Sequence, residues 1–247
     1  MRYYGEESKS DYEKEKEFIE KKRLAVAKKL SSIEHPNLLR IEKIKNANMC
    51  HHEITERDIK IGNRYCILEN FCGENFCDVI RKFGPLVPPI AVKLFIQVLD
   101  VLSFVSQQGI NHPNLRPECI MVNRKGVVKV DGFLDYPSMT AKYTNYICID
   151  NYASPEKLDS NNIDVPSNIF SLGSVMFFVL TGFPPFSGST PGSIIERIKY
   201  KDPVSLKKIV CNIGDLDDIV MKALSKNTAD RFDSFDQFQQ ALLQLNL

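Results

Sequence analysis

Net charge of either sign is almost absent from this chain: 32 lysines and arginines face 31 aspartates and glutamates, leaving +1 over 247 residues. That balance makes no field to draw in nucleic acid or an anionic membrane, so neither is expected as a partner. No C-x-x-C pair occurs, and the seven cysteines are an odd number. Reduced thiols in a cytoplasmic protein, with the nucleus left open, are the simple reading. No N-terminal signal sequence is recognisable. Long hydrophobic runs are lacking as well. Ala91–Val105 and Ile169–Val179 are interrupted by polar residues or too short to span a bilayer, and they read as core helices. There is no internal repeat and no low-complexity segment. What is present is a 43% hydrophobic composition, enough for one large domain or two small lobes sharing a core.

Along the chain, Asp11–Ile33 predicts a helix whose apolar stripe runs through Phe18, Ile19, Leu24, Val26, Leu30 and Ile33, with a solvated Lys/Glu face. Pro36 ends it by pushing His35 out of helical geometry. Leu38–Ile44 and Arg64–Glu69 predict two strands, separated by a polar loop from Lys45 to Asn63. In that loop, Cys50, His51, His52 and Glu53 suggest a metal cluster at first sight. Neighbours on one loop rarely converge on one ion, and no second ligand pair stands out, so a surface loop is expected. A short helix within Phe71–Gly84 and a long one over Pro88–Gln108 follow. Ser167–Thr181 predicts an apolar helix closed by Gly182, and Ser193–Tyr200, Gly214–Leu224 and Ser234–Leu245 predict amphipathic ones.

Several segments carry a family likeness. His112-Pro-Asn-Leu-Arg-Pro-Glu-Cys119 is followed at fixed distance by Asp131-Gly-Phe-Leu134. Ala153-Ser-Pro-Glu156, Asn168-Ile-Phe-Ser-Leu-Gly173, Leu180-Thr-Gly-Phe-Pro-Pro-Phe186 and Ala229-Asp-Arg-Phe232 come after them in order. Taken together, from about Leu24 to Leu245, the chain resembles a eukaryotic protein kinase. The resemblance implies an α+β, bilobal kinase-like fold. Its N-lobe (1–70) would be truncated, keeping the family's helix C and its fourth and fifth strands, and its C-lobe (71–247) mainly helical, with one structural domain overall. It also implies a hinge at Leu68, Glu69, Asn70 and Phe71, and an apolar residue, Met121, beneath an adenine. Leu30, Ile41, His112 and Phe133 would form a stack joining the lobes, and Glu156 would pair with Arg231.

The departures fall on the chemistry. Asn114 stands where the family has its catalytic carboxylate, and an amide cannot take a proton. Cys119 replaces an asparagine that ligates magnesium, an ion that wants oxygen. Gly132 replaces the metal-binding aspartate, Arg116 replaces the loop lysine, and Pro113 replaces the arginine that receives an activation-loop phosphate. Val26 falls where an ion-pairing glutamate is expected. No Val-Ala-Ile-Lys segment or phosphate-covering glycine loop is found, and Lys9 lies in a polar context. Thr140, Tyr143, Thr144 and Tyr146 therefore read as surface hydroxyls. His112 reads as a packed histidine.

The expected function is accordingly a catalytically inactive kinase-like domain that binds a protein partner as scaffold or allosteric regulator. No cofactor or metal is expected, and ATP binding should be weak or absent. Two alternatives stay open: a nucleotide-binding regulator without turnover, and an unusual phosphotransferase using Asp131 or the nearby Asp135.

Overall fold

A computed structural model describes residues 7–47, 58–135, 151–160 and 163–246. The loop cluster of Cys50, His51, His52 and Glu53 and the hydroxyls of Thr140, Tyr143, Thr144 and Tyr146 lie outside the described residues. The described chain folds as two compact units. One holds residues 7–35, 39–71 and 133–135; the other holds 36–38, 72–132 and everything described from 151 onward.

The first unit is one helix on one small sheet. Helix α1, Glu7–Leu30, is rich in good helix formers and carries a Glu17–Lys21 pair at 2.8 Å. It stops where the Ser31 and Ser32 hydroxyls donate back to the carbonyls of Lys28 and Lys29. Its C-terminal half packs on the sheet, with Ala27 and Leu30 buried, whereas Phe18 is 66% exposed. Of the expected apolar stripe, Ile19, Leu24, Val26 and Ile33 are half-buried and Leu30 is buried; Phe18 alone is corrected, because it points away from cover. Strands β1 (Ile41–Asn46), β2 (Ile59–Ile61) and β3 (Arg64–Leu68) form an antiparallel sheet in the order β1-β3-β2. Strand β2 lies within the stretch expected to be loop. Three residues are too few for an alternating pattern to register, and β2 exists because Gly62, at φ +55°, turns it back onto β3.

The second unit is mainly helical. Strands β4 (Glu74–Asn75), β5 (Ile120–Val122) and β6 (Val128–Val130) make a second antiparallel sheet. Asn37 ties the chain to it, donating to the Val128 carbonyl at 2.8 Å and to Gln97 at 3.0 Å. Helices α2 (Phe76–Phe83) and α3 (Pro88–Gln107) follow β4. Helices α4 (Pro155–Ser160), α5 (Val165–Thr181), α6 (Pro191–Tyr200), α7 (Leu216–Ala223) and α8 (Phe235–Leu243) complete the unit.

Helix α3 is long and apolar enough to cross a membrane by composition, contrary to the expectation, yet it packs against α5, α8 and β6. Helix α5 is the pillar of the core. Asp164 caps it by accepting from the Ser167 amide at 2.9 Å, Gly182 at φ +86° closes it, and every residue from Ser167 to Thr181 is buried. A helix apolar on all sides has only the interior to occupy.

Candidate active site

The second unit holds the segment His112–Cys119 rigidly. Asn168, a polar residue inside apolar α5, accepts from the His112 amide at 2.8 Å through Oδ1. Through Nδ2 it donates to the His112 carbonyl at 2.8 Å. The His112 ring then reaches the next segment, with Nε2 2.6 Å from the Asp131 carbonyl, while the Asn114 amide donates to Nδ1 at 3.1 Å. A carbonyl only accepts and a backbone N–H only donates, so the ring is the neutral tautomer protonated on Nε2. Burial drives the His112 pKa down to about 3. The Asp131 carbonyl opposes that shift and the charges of Lys157 and Arg116 assist it. His112 is therefore a packed, neutral clamp at physiological pH.

Asn114 is half-buried at the turn after His112. Its Oδ1 accepts from Lys157 Nζ at 2.8 Å, and its backbone carbonyl lies 3.5 Å from Cys119 Sγ. Lys157 is set by its own helix. Its amide donates to Ser154 Oγ at 3.3 Å, and that hydroxyl lies 2.7 Å from Ser167 Oγ on α5. Gly132 has φ +83°, and a Cβ there would fall 2.7 Å from Cys119 Sγ and 3.2 Å from His112 Cε1. Cys119 thus fills the space a side chain at 132 would need. Asp131 and Arg116 are half-buried beside these residues in sequence, and Asp135 is exposed.

Glu156 and Arg231 meet as a bidentate pair at 2.7 and 3.0 Å. The other Arg231 donors go to the carbonyls of Ser225, Pro166 and Lys226, so all five N–H groups are used. Burial pushes the Glu156 carboxyl up, but the hydrogen bonds and charge of Arg231 outweigh this and hold it below the usual range.

In the first unit, Leu68 closes β3 with its amide on Asp58 at 3.3 Å. Glu69 is engaged twice by Arg40: its amide donates to the Arg40 carbonyl at 2.9 Å, and Oε1 accepts from the Arg40 amide at 2.8 Å. Asn70 is exposed and Phe71 buried. Leu30, Ile41 and Phe133 are buried here, and His112 and Met121 in the other unit.

Among the described residues no group of three or more His, Cys, Asp or Glu is placed to hold a metal ion. At the positions where the resemblance places metal ligands stand a buried thiol, Cys119, and Gly132, which has no side chain; the half-buried Asp131 precedes Gly132. The thiol and the glycine supply none of the hard oxygen ligands that magnesium takes. Two residues were given no role of their own by the sequence reading. Asn168 carried a signal, since a buried amide in an apolar helix needs partners. Lys157 carried none, because only the fold sets it against Asn114.

Comparison with known proteins supplies the rest. A family model described as a protein kinase domain matches residues 7–244. The serine/threonine-protein kinase PknB of Mycobacterium tuberculosis is 30% identical over 189 residues, covering 74% of this chain and 30% of that protein. PknB of Mycobacterium leprae is 31% identical over the same length and coverage. The chain spans 30% of the length of these curated relatives. A crystal structure of Rad53 in complex with AMP-PNP superposes with a TM-score of 0.69 at 20% identity, over 88% of this chain and 53% of that one. That likeness is one of fold.

These relatives correct the expected function. An inactive scaffold was expected, and not an enzyme, yet the similar proteins are named as serine/threonine-protein kinases. The physical reason lies in what the substitutions report. Asn114, Cys119 and Gly132 say which atoms cannot act as base or ligand; they do not say what the neighbouring charges can do.

Proposed function

The chain belongs to the protein kinase family, and on that premise we propose that it transfers a phosphoryl group from a nucleoside triphosphate to a serine or threonine hydroxyl. The reading rests on one observation: Asn114 is presented by a clamped backbone with a cation, Lys157, on its amide oxygen. Phosphoryl transfer passes through a loose transition state in which positioning and charge stabilisation matter more than proton abstraction. An amide oxygen accepts a hydrogen bond from the incoming hydroxyl and aligns it without taking the proton. The acceptor oxygen bonds to the terminal phosphorus as the bond to the bridging oxygen breaks. The electron pair stays on the nucleoside diphosphate, and the hydroxyl proton passes to a phosphoryl oxygen.

Several further features go with this reading. The described first unit, one helix and three strands, supports a reduced N-lobe. The nucleotide would be a weakly held co-substrate, with Leu68, Glu69, Asn70 and Phe71 as hinge. A protein is the expected partner, as the phosphate acceptor, and reduced cysteines suit a cytoplasmic location. The test is transfer of labelled phosphate from ATP to serine-, threonine- and tyrosine-containing peptide pools. Labelled phosphoserine or phosphothreonine, lost in Asn114→Leu, is expected. No label above that of Asn114→Leu in any pool would remove the reading.

A further inference from the structure

The near-neutral chain hides a local concentration of positive charge in the sheet of the first unit. Strands β1, β2 and β3 carry four cations, Lys43, Lys45, Lys60 and Arg64, against one carboxylate, Glu42. Arg40 meets Glu42 at 3.7 Å, so that carboxylate is matched from outside the strands. Lys45 and Arg64 converge on a cavity of about 350 Å³ at the end of the β1–β3 pair, walled also by Ile44 and Asn46. Strand register holds them there. Asn46 lies opposite Arg64 and Lys45 opposite Tyr65, and the Ala47 amide closes the pair on the Asn63 carbonyl at 2.7 Å. Both cations are half-buried, and among the described residues neither side chain has a hydrogen-bond or ion-pair partner. Glu20 of α1 reaches Gly62, two residues before Arg64, without pairing with that arginine. The described walls of the cavity thus offer two cations and an amide, and no carboxylate.

A planar guanidinium fork beside a flexible ammonium suits a tetrahedral oxyanion. A phosphate monoester carries a charge of about −1.5 to −2 at pH 7, which two cations neutralise; a carboxylate would satisfy only one of them. We propose that this cavity binds a phosphate monoester, with Arg64 and Lys45 donating to its oxygens and the Asn46 side-chain amide adding a further donor. The ester is either a phosphorylated side chain of a protein or a small phosphorylated metabolite. None of the residues around Asn114 takes part, so the site does not depend on the phosphotransfer reading.

The experiment titrates the isotope-labelled full chain with glycerol phosphate and with a phosphoserine peptide beside its serine counterpart. The backbone amides of Lys45, Asn46 and Arg64 are followed by NMR. Saturable shifts at these amides are expected with the phosphate-bearing ligands and not with the serine peptide. Arg64→Gln and Lys45→Gln should each weaken binding by about tenfold or more, the size of one charge-assisted hydrogen bond. Arg64→Lys keeps the charge but loses the fork, and should fall between wild type and Arg64→Gln. Lys208→Gln removes the same charge from an exposed position in the other unit and should leave binding unchanged. Melting curves identify any variant that fails to fold, and Arg64→Lys then decides. A phosphoserine peptide bound about tenfold tighter than glycerol phosphate assigns the protein source; equal affinity assigns the small-molecule source, and either upholds the site. Binding unchanged in Arg64→Gln and Lys45→Gln, an equal loss in Lys208→Gln, or shifts confined to other residues overturns the proposal.

Discussion

Arg231 and Glu156 lie 75 residues apart and meet through two parallel hydrogen bonds, at 2.7 and 3.0 Å, with the Arg231 side chain fully buried. The guanidinium also stacks over Phe170, 4.9 Å from its ring centre. One side chain thus joins α4, the start of α5 and the segment before α8. Replacing Glu156 by Ala leaves the buried guanidinium uncompensated, and a loss of about 3–5 kcal/mol is expected on removing one partner of such a pair. Arg231→Lys keeps the charge but loses the fork, and should also destabilise. Urea unfolding of both variants measures this; a loss below 1 kcal/mol, on the order of an exposed pair, would contradict the assignment.

Acid should destabilise the fold in two stages. His112 titrates near 6.5 when unfolded and only at about 3 in place, so the unfolded chain binds the extra proton. Stability should therefore fall as pH drops below about 6.5, by about 1.4 kcal/mol per pH unit, until the folded value is reached. Glu156, whose folded pKa is lowered, contributes stability present above its unfolded value of 4.5 and lost as pH falls through its folded one. Unfolding free energies at pH 7, 6 and 5 isolate the histidine. In His112→Gln the slope across that window should flatten; an unchanged slope would show that another group is responsible.

Asn168 satisfies both backbone groups of His112. Asn168→Ala strands a buried N–H and a buried carbonyl, each costing about 1–3 kcal/mol. Asn168→Asp keeps the acceptor and loses the donor, so it should cost less. Hydrogen exchange at the His112 amide provides the local check: protection should collapse in the alanine variant and survive in the aspartate variant.

Cys119 and Gly132 should be coupled. Gly132→Ala puts a Cβ against Cys119 Sγ and at φ +83°, so it carries both a clash and a backbone cost of about 1–2 kcal/mol. Cys119→Ala removes the clash and not the backbone cost. In a double-mutant cycle the pair should be less destabilised than the sum of the singles, with a coupling of about 0.5–3 kcal/mol. Strict additivity would mean the two positions are independent.

The helices that the sequence announces most clearly are those with strong local punctuation. Helix α5 has Asp164 and Pro166 at its start, Gly182 at its end and no polar face to choose. Helix α3 begins at Pro88, where a proline ends no hydrogen bond. The short strands β2 and β4 are not legible, because two or three residues carry no period and form only when a partner strand is beside them. Helix α1 shows a further limit. Its apolar stripe includes Phe18, but whether a residue of that stripe is covered depends on how far the sheet extends beneath it.

The site divides in the same way. Sequence alone determined which atoms stand at each position: an amide at 114, a thiol at 119 and no side chain at 132. It also determined the spacing that identifies the family, and chemical identity follows from the residue itself. Only the tertiary structure decided what those atoms meet. It set Lys157 against Asn114 across 43 residues, packed Cys119 into the space above Gly132, and clamped His112 on Asn168 across 56 residues. Such contacts carry no local pattern, because they arise from the packing of separate elements around α5, and the charge at the site arises with them.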